Sequence, residues 1–329
     1  MKAAVFEKHG DASVLEVQEI GKPTAEKGEV LIKIASSGMN RAEVLFRQGM
    51  YFQKAMFPSR IGMEAGGVVE EVGEGVKRFK VGDRVATLPA VLNQSTQGSA
   101  AEYTSVNENF VVMTPESVDD KDSAAIWMQY LTAWGALNHV AHVKPGNNVV
   151  IPAASSSVGI AAIQIVNDLG GNSIATTTSA GKVDRLKELG AKHVIDVGNE
   201  DYEARIKEIT GGNNVHIVFD PVAGKMMASH INVAAQGAWI FLYGVLDPSP
   251  MNIHPGYLVG KNVKLAGYNV AAILMDPPAC QAAVQTITQR LNEGKYELIV
   301  DKRFPLAAVA DAYRHMESNQ QIGKIVINP

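Results

Sequence analysis

Strand-like and helix-like segments alternate along the middle of the chain, and this alternation restricts the fold more than any other feature. Short apolar runs are followed by segments with apolar side chains three and four residues apart, with glycines between them. The predicted strands cover 148–152, 172–177, 193–196, 215–220 and 238–243, and the predicted helices cover 158–169, 182–189, 201–210 and 225–235. Repeated β-α units place parallel strands in one sheet that is covered by helices on both faces. The sequence therefore predicts a doubly wound α/β domain.

The segments on either side of this region have a different pattern. Residues 29–34 carry apolar side chains at every second position, and glycine turns accompany further strand-like runs at 66–75 and 81–85. Many short strands at this spacing are typical of a small, partly barrel-like β domain. Near residue 114 the pattern changes, and an apolar helix is predicted from about Asp119. The last residues predict helices at 277–292 and 306–316 and a strand at 323–327, a tail that we expect to return to the β domain.

Composition agrees with a globular protein of about two domains, because the chain has 329 residues, 46% of them hydrophobic and 19% charged. There are 30 basic and 34 acidic side chains, for a net charge of -4, and no long basic run, so nucleic acid is not expected as a partner. The single cysteine, Cys280, cannot form an internal disulfide or a cysteine-rich zinc site. A reducing, cytoplasmic setting is the expectation.

No membrane association is expected from the sequence. Two long uncharged stretches, 147–167 and 226–246, contain proline, serine, histidine and glycine residues that suit a buried strand joined to a buried helix. Glu7 and Lys8 directly follow the first six residues, so the N-terminus lacks the apolar core of a signal peptide.

A candidate phosphate-binding turn joins the first strand of the alternating region to the helix that follows it. The turn contains Ser155, Ser156, Ser157 and Val158 and is followed by Gly159. A helix N-terminus presents free N–H groups and a positive dipole, which suit a dinucleotide pyrophosphate. Serines stand where the usual glycine-rich fingerprint has glycines, so the turn alone is equally compatible with an ordinary βα connection.

The end of the second strand of this region favours one type of dinucleotide. Sites for NAD usually carry an acidic residue there, whereas this chain has Thr176, Thr177, Thr178 and Ser179, followed by Lys182. Hydroxyl donors and a cation suit a 2′-phosphate, which a carboxylate would repel. The sequence therefore predicts NADPH as cofactor, although Lys182 at a solvated helix start would also be ordinary.

Motifs along nearly the whole chain resemble the medium-chain dehydrogenase/reductases, and in particular their zinc-independent quinone oxidoreductase (zeta-crystallin-like) branch. The motifs that carry the resemblance are residues 1–5 (MKAAV), 28–33 (GEVLIK), 47–51 (RQGMY), 62–69 (GMEAGGVV), 81–85 (VGDRV), 131–134 (LTAW), 188–191 (ELGA) and 323–326 (GKIV). The resemblance is specific for the family and much less specific for a substrate.

The resemblance implies a GroES-like, β-rich domain and a Rossmann domain with a parallel sheet. The GroES-like substrate and catalytic domain would comprise residues 1–122 and 271–329, and the Rossmann NADPH-binding domain residues 123–270. It also implies an active cleft between the domains and a homodimer through the edge strand of the Rossmann sheet, near 263–268.

Zinc chemistry is not expected. The zinc-dependent relatives carry a Cys near Gly38 and a Gly-His-Glu motif, whereas this chain has Met39 and Asn40 after Gly38 and Met63 in place of the histidine. Methionine is a poor Zn²⁺ ligand, and the one remaining carboxylate, Glu64, cannot hold the ion alone. We therefore expect no metal in the site.

The function that the resemblance implies is NADPH-dependent reduction of a quinone or an α,β-unsaturated carbonyl by hydride transfer. Asn40 would lie near the nicotinamide ribose, Thr132 at the nicotinamide end, and Lys324 within reach of the cofactor. The serines of the turn and Val158 would bind the pyrophosphate, and Thr177, Ser179 and Lys182 the 2′-phosphate. Four residues would pass beside the nicotinamide, and these are Tyr243, Gly244, Val245 and Leu246.

Tyr51 is the candidate proton donor. Its phenol can donate a hydrogen bond at pH 7, and an aromatic lid formed with Phe52 is the alternative interpretation. Two other functions remain open. One is a 2-enoyl thioester reductase that uses Tyr51 as proton donor, and the other is a catalytically idle, NADPH-binding protein like some lens crystallins of this branch.

Overall fold

The computed structural model describes residues 1–212 and 214–329, and the chain divides into two compact units. The first unit comprises Met1–Met128 and Thr288–Pro329, and the second comprises Gln129–Ile287. Among the described residues, no helix combines the length and apolar character that a membrane span requires.

Short strands dominate the N-terminal part of the first unit. Its elements are β1 (Lys2–Phe6), β2 (Glu16–Glu19), β3 (Glu29–Gly38), α1 (Arg41–Arg47), β4 (Ser59–Arg60), β5 (Ala65–Val72), β6 (Arg84–Thr87), α2 (Gln94–Gln97), β7 (Tyr103–Asn107) and β8 (Val111–Met113). Helix α3 (Trp127–Trp134) follows and continues as a π-helix over Gly135–Val140.

Strands and helices then alternate through the second unit. They are β9 (Asn148–Ile151), α4 (Ser157–Asp168), β10 (Asn172–Thr177), α5 (Val183–Glu188), β11 (His193–Asp196), α6 (Tyr202–Thr210), β12 (Val215–Asp220), α7 (Met227–Val233), β13 (Ala234–Leu242), α8 (Pro255–Lys261), β14 (Lys264–Gly267) and α9 (Ala271–Leu274). The chain ends with α10 (Pro277–Asn292), β15 (Val300–Pro305), α11 (Val309–Glu317) and β16 (Lys324–Asn328).

The first unit is built on two sheets. The larger has the order β15-β16-β3-β5-β6-β8, with β7 also paired to β3, and the smaller has the order β2-β1-β4. Strand β16 runs antiparallel to β3, with Val326 opposite Gly38 and Ile327 opposite Ser37. The C-terminal tail therefore returns to the first unit, as predicted, and the expected β-rich domain is confirmed.

The second unit is a single parallel sheet in the order β11-β10-β9-β12-β13-β14. Strand order reverses between β9 and β12, so the carboxyl ends of these strands mark the position at which doubly wound sheets bind ligands. Val150, Ile174 and Val218 are fully buried on these strands, which explains their continuous apolar runs. The predicted Rossmann-type domain is confirmed.

Capping residues set several helix ends where the sequence predicts them. Asp276 accepts a hydrogen bond from the Ala279 N–H at 3.1 Å, and Pro277 is the first residue of α10.

The helix expected from Asp119 instead begins at Trp127. The Ser36 hydroxyl of β3 accepts the Ala124 N–H at 2.9 Å and donates to the Asp120 carbonyl at 3.0 Å, so this side chain competes with helix formation.

Candidate functional site

The turn between β9 and α4 is shaped by a serine cap and a close backbone approach. The Ser156 hydroxyl accepts the Gly159 N–H at 3.1 Å and begins the helix. A Cβ at Gly159 would lie 2.6 Å from the Ala154 carbonyl oxygen, so only glycine fits there without displacing the backbone. The amides of Ser157 and Val158, in the first turn of α4, have no carbonyl partner within the helix. These N–H groups can bind an anion.

Lys182 joins the end of β10 to this turn, because its Nζ donates to the Ser155 hydroxyl at 3.1 Å. Thr177 is buried and its hydroxyl accepts the Ser179 N–H at 3.1 Å, while Ser179 itself is exposed. An acidic residue of β11, Asp196, does lie opposite Thr177. Its carboxylate already accepts the Gly198 N–H at 3.1 Å and the Asn199 amide at 2.8 Å. The structure thus brings a lysine and several hydroxyl groups together beside the turn.

The segment after β13 is held against the end of β12. The Tyr243 N–H donates to the Asp220 carbonyl at 3.0 Å, and the Tyr243 ring stacks on Phe219 at 4.1 Å between centroids. Burial raises the pKa of Tyr243 well above its usual range, so its phenol stays neutral. Beyond Gly244, Val245 and Leu246 expose 61% and 45% of their surface. These exposed apolar side chains are therefore accessible for contact with a ligand.

Thr132 belongs to the same unit and is buried in α3. The residues expected at the cofactor therefore fall into two groups. The second unit carries Thr132, Ser155, Ser156, Ser157, Val158, Thr177, Ser179, Lys182, Tyr243, Gly244, Val245 and Leu246, and the first unit carries Asn40, Tyr51 and Lys324.

Asn40 and Lys324 meet in a buried polar cluster of the first unit. Lys324 Nζ donates to the Asn40 Oδ1 at 2.8 Å and forms an ion pair with Glu64. Asn40 Nδ2 lies 3.2 Å from the Glu64 Oε1, and the second oxygen of Glu64 accepts the Met128 N–H at 3.0 Å. Lys324 and Glu64 are each 1% exposed. The ammonium therefore neutralises the buried carboxylate and fixes the orientation of the Asn40 amide.

Two residues that sequence reasoning missed complete this cluster. The Glu43 carboxylate accepts the Tyr313 hydroxyl at 2.6 Å, the Met63 N–H at 3.0 Å and the Asn40 amide at 3.3 Å. Burial raises the pKa of Glu43 to about 7, against the opposing effects of the Tyr313 hydrogen bond and the Lys324 charge. Burial therefore disfavours the charged form of the Glu43 carboxyl. Its position in the first turn of α1 gives no sequence signal of burial.

Tyr51 lies half-buried against the apolar core of the first unit. Its ring packs on Phe52 at 4.0 Å between centroids, and Phe52 is 73% exposed. Burial, and then the negative charge of Glu43, raise the pKa of Tyr51 to about 12. The phenol therefore stays protonated at neutral pH, the form that can donate a hydrogen bond. The ring contact with Phe52 is also what an aromatic lid would require.

Among the described residues, no group of three or more His, Cys, Asp or Glu side chains is arranged to hold a metal ion. At the position of the metal-ligand histidine of zinc-dependent relatives, Met63 is buried, with 4% of its surface exposed.

Two family models match the chain, one in each half. The alcohol dehydrogenase GroES-like domain model matches residues 26–116, and the zinc-binding dehydrogenase model matches residues 157–289. These two matches correspond to the β-rich part and the parallel-sheet part of the structure.

Similar proteins cover almost the whole chain. The quinone oxidoreductase of Sus scrofa is 29% identical over 329 residues, which span 99% of this chain and 97% of that protein. The synaptic vesicle membrane protein VAT-1 homolog of Homo sapiens is 28% identical over 335 residues, or 97% of this chain and 84% of that protein.

A solved structure is similar over the full length of both chains. It is the Escherichia coli quinone oxidoreductase complexed with NADPH, with a TM-score of 0.92, 25% identity and coverage of 100% of each chain. The matched domain models, the parallel sheet and the relatives agree with one another. The chain therefore belongs to the medium-chain dehydrogenase/reductase superfamily of oxidoreductases.

Proposed function

We propose that the protein is an NADPH-dependent oxidoreductase that reduces quinones or α,β-unsaturated carbonyls without zinc. The contact between Lys182 Nζ and the Ser155 hydroxyl carries the cofactor part of the proposal, because it places a cation beside both the acid-free end of β10 and the N-terminus of α4. The quinone oxidoreductase relatives and the NADPH complex of the Escherichia coli protein support the same reaction class.

The residues of the second unit fit NADPH by their chemistry. The amides of Ser157 and Val158 and the hydroxyls of Ser155 and Ser156 would bind the pyrophosphate. Thr177, Ser179 and Lys182 would donate to the 2′-phosphate. Thr132 and the segment from Tyr243 to Leu246 would form the nicotinamide side. When bound, NADPH supplies the hydride, and the protein orients it and stabilises the charge that develops.

The first unit would supply the polar groups for the acceptor. Asn40 is held by Lys324 and Glu64, so its amide is fixed before any ligand binds. We assign Asn40 to the nicotinamide ribose and Tyr51 to the acceptor oxygen. The neutral phenol of Tyr51 would donate a hydrogen bond to the enolate or phenolate oxygen that hydride addition creates.

We also propose a homodimer through β14, near residues 263–268. This strand is the last in the order of the parallel sheet, and its outer edge presents backbone groups that a second copy could pair with. The proposed substrates are small molecules.

NADPH should be preferred over NADH by at least about tenfold in kcat/KM, because charge-assisted contacts to phosphate contribute about 1.5–3 kcal/mol each. Lys182→Ala should remove most of this preference by raising the KM for NADPH, with little effect on NADH. Lys187→Ala is the matched control, since this lysine of α5 pairs with the exposed Asp184. Equal efficiency of wild type with both cofactors, or an unchanged preference in Lys182→Ala, would count against the site.

The purified protein should hold no stoichiometric zinc and should keep its activity in excess chelator, because Met63 replaces the metal-ligand histidine and Lys324 already neutralises Glu64. Elemental analysis and assays after dialysis against chelator check this expectation. About one zinc per chain, with activity lost on its removal, would contradict it.

The acceptor can be narrowed by measuring NADPH oxidation with quinones, enals, enones and crotonyl thioesters. A strong preference for the thioester would favour a 2-enoyl thioester reductase, the alternative to which the neutral Tyr51 phenol is best suited. Tight NADPH binding without turnover of any acceptor would instead favour the catalytically idle, cofactor-binding protein.

A further inference from the structure

The turn that follows β12 contains a backbone conformation that residues other than glycine rarely adopt. Ala223 has φ +63° and ψ −140°, and the next residue, Gly224, has φ +58°. A residue with a Cβ rarely adopts positive φ, and such positions persist only where surrounding interactions enforce them. Ala223 is 3% exposed, so water is not what stabilises it. A specific group must offset the strain.

The carboxylate of Asp220 binds the backbone directly before Ala223. It is fully buried at the carboxyl end of β12, accepts the Val222 N–H at 2.6 Å with Oδ1 and accepts the Ala223 N–H at 3.0 Å with Oδ2. The two bonds fix the orientation of the peptide groups that join Pro221 to Val222 and Val222 to Ala223, because each N–H lies in the plane of its own peptide group. A carboxylate that accepts two backbone donors makes stronger bonds than a neutral side chain would.

The titratable side chains that the structure describes around Asp220 are His230, Tyr202 and Tyr243, and none of them carries a positive charge at neutral pH. His230 Nε2 lies 3.8 Å from Asp220 Oδ2, but burial lowers the pKa of His230 to about 4. His230 Nδ1 is hydrogen-bonded to the Tyr202 hydroxyl at 2.8 Å, and burial raises the pKa values of Tyr202 and Tyr243. The backbone amides of the turn therefore carry much of the stabilisation of this carboxylate, and burial raises the pKa of Asp220 in spite of them.

The same turn holds the segment that follows β13. The Pro221 carbonyl accepts the Leu246 N–H at 3.0 Å, and the Val222 carbonyl accepts the Asp247 N–H at 2.9 Å. In return, the Asp247 carboxylate accepts the Lys225 N–H at 3.1 Å. The conformation of residues 221–225 therefore determines where residues 243–247 lie.

We propose that Asp220 is a positioning residue for the nicotinamide half of the cofactor site. Its carboxylate accepts the N–H groups of the two peptide groups on either side of Val222, and the carbonyl groups of the same two peptide groups hold the segment after β13 through the Leu246 and Asp247 N–H groups. This inference rests on the proposed NADPH function, and it concerns only the half of the site formed by that segment. Lys182 and the end of β10 are outside it.

The test compares two ligands on the same variant. Asp220→Asn keeps the size of the side chain, but its amide can accept only one of the two N–H groups. We expect Asp220→Asn to weaken NADPH binding at least about tenfold, the effect of losing one charge-assisted hydrogen bond. Adenosine 2′,5′-bisphosphate, which lacks the nicotinamide half, should bind Asp220→Asn within about twofold of its affinity for wild type, because its proposed contacts are with Ser155 and Lys182. Titration calorimetry measures both affinities.

The matched control is Asp201→Asn. Asp201 lies in the same unit and caps α6 by accepting the Ala204 N–H at 3.0 Å. Its substitution is the same chemical change as Asp220→Asn, made away from the turn after β12. The affinities of the Asp201→Asn variant for both ligands should equal those of wild type. If wild type itself fails to bind NADPH, the proposed function fails. If wild type binds and Asp220→Asn binds both ligands normally, or loses both equally, the positioning role is overturned.

Amide hydrogen exchange of the wild-type protein tests the proposal even if the Asp220→Asn variant does not fold. The amides of Val222, Ala223, Leu246 and Asp247 should exchange at a common rate, as one cooperative unit, and NADPH should slow all of them. Exchange of Leu246 and Asp247 that is much faster than that of Val222 and Ala223 would overturn the proposal, because the segment would then move independently of the turn.

Discussion

Tyr51→Phe should lower kcat for an enone by about 10- to 1,000-fold, with little change in NADPH affinity, which is the range for losing one acid or one oxyanion donor. The substitution keeps the ring and its contact with Phe52 and removes only the hydroxyl. Because the pKa of Tyr51 is raised to about 12, the hydroxyl is protonated throughout the neutral range. We therefore expect its main contribution to be a hydrogen bond to the charge that hydride addition leaves on oxygen.

The acceptor provides an internal control for this prediction. A reduced quinone can be protonated by water, so its kcat should fall less in Tyr51→Phe than that of an enone or an enoyl thioester. Phe52→Leu is the matched variant, since it removes the stacked ring and keeps the phenol. If Tyr51→Phe leaves kcat unchanged for every acceptor while Tyr51→Ala raises KM, Tyr51 is an aromatic lid, and no proton donor is assigned.

Lys324→Met should lower the free energy of unfolding by about 3–5 kcal/mol, because it leaves the carboxylate of Glu64 buried without its partner. Glu64 would keep the Met128 N–H and the Asn40 amide, which do not neutralise its charge. Denaturant unfolding of purified protein measures the loss. The effect should be among the largest of any single substitution in the first unit.

The double variant Lys324→Met/Glu64→Gln separates this explanation from a loss of packing. Removing both charges together should recover most of the stability, since a buried ion pair is often worth little against neutral residues of similar size. If Lys324→Met costs less than about 1 kcal/mol, or if the double variant is less stable than the single one, the carboxylate is not buried as the structure has it.

The architecture could be predicted because its determinants are local. Residues 172–177 and 215–220 were predicted as strands and form β10 and β12 with those bounds, since apolar periodicity and glycine stops act within a few residues. The start of α3 was predicted too early, because the competing hydroxyl of Ser36 is 88 residues from the Ala124 N–H that it accepts.

The residues of the candidate site also fall into those that local sequence indicates and those that depend on long-range contacts. The serine turn and the hydroxyl-rich end of β10 are contiguous in sequence, so their chemistry could be inferred, and the roles of these residues stay predictions. Glu43 and Tyr313 could not be found, because their hydrogen bond joins residues 270 positions apart and neither lies in a recognisable motif. The burial of Lys324 has the same cause, since its partner Glu64 is 260 positions away. Nothing local in the sequence indicates that Ala223 adopts a positive φ.

An engineered zinc centre in the first unit would have to compete with the ammonium of Lys324. That group is already in contact with Glu64, the carboxylate that zinc-dependent relatives have in their Gly-His-Glu motif. A divalent cation added within a few ångströms of a buried ammonium meets strong repulsion in a medium of low polarity. Met63→His would therefore supply a ligand beside a carboxylate that is not free to bind. Conversion to a metalloenzyme would require removal of the lysine first.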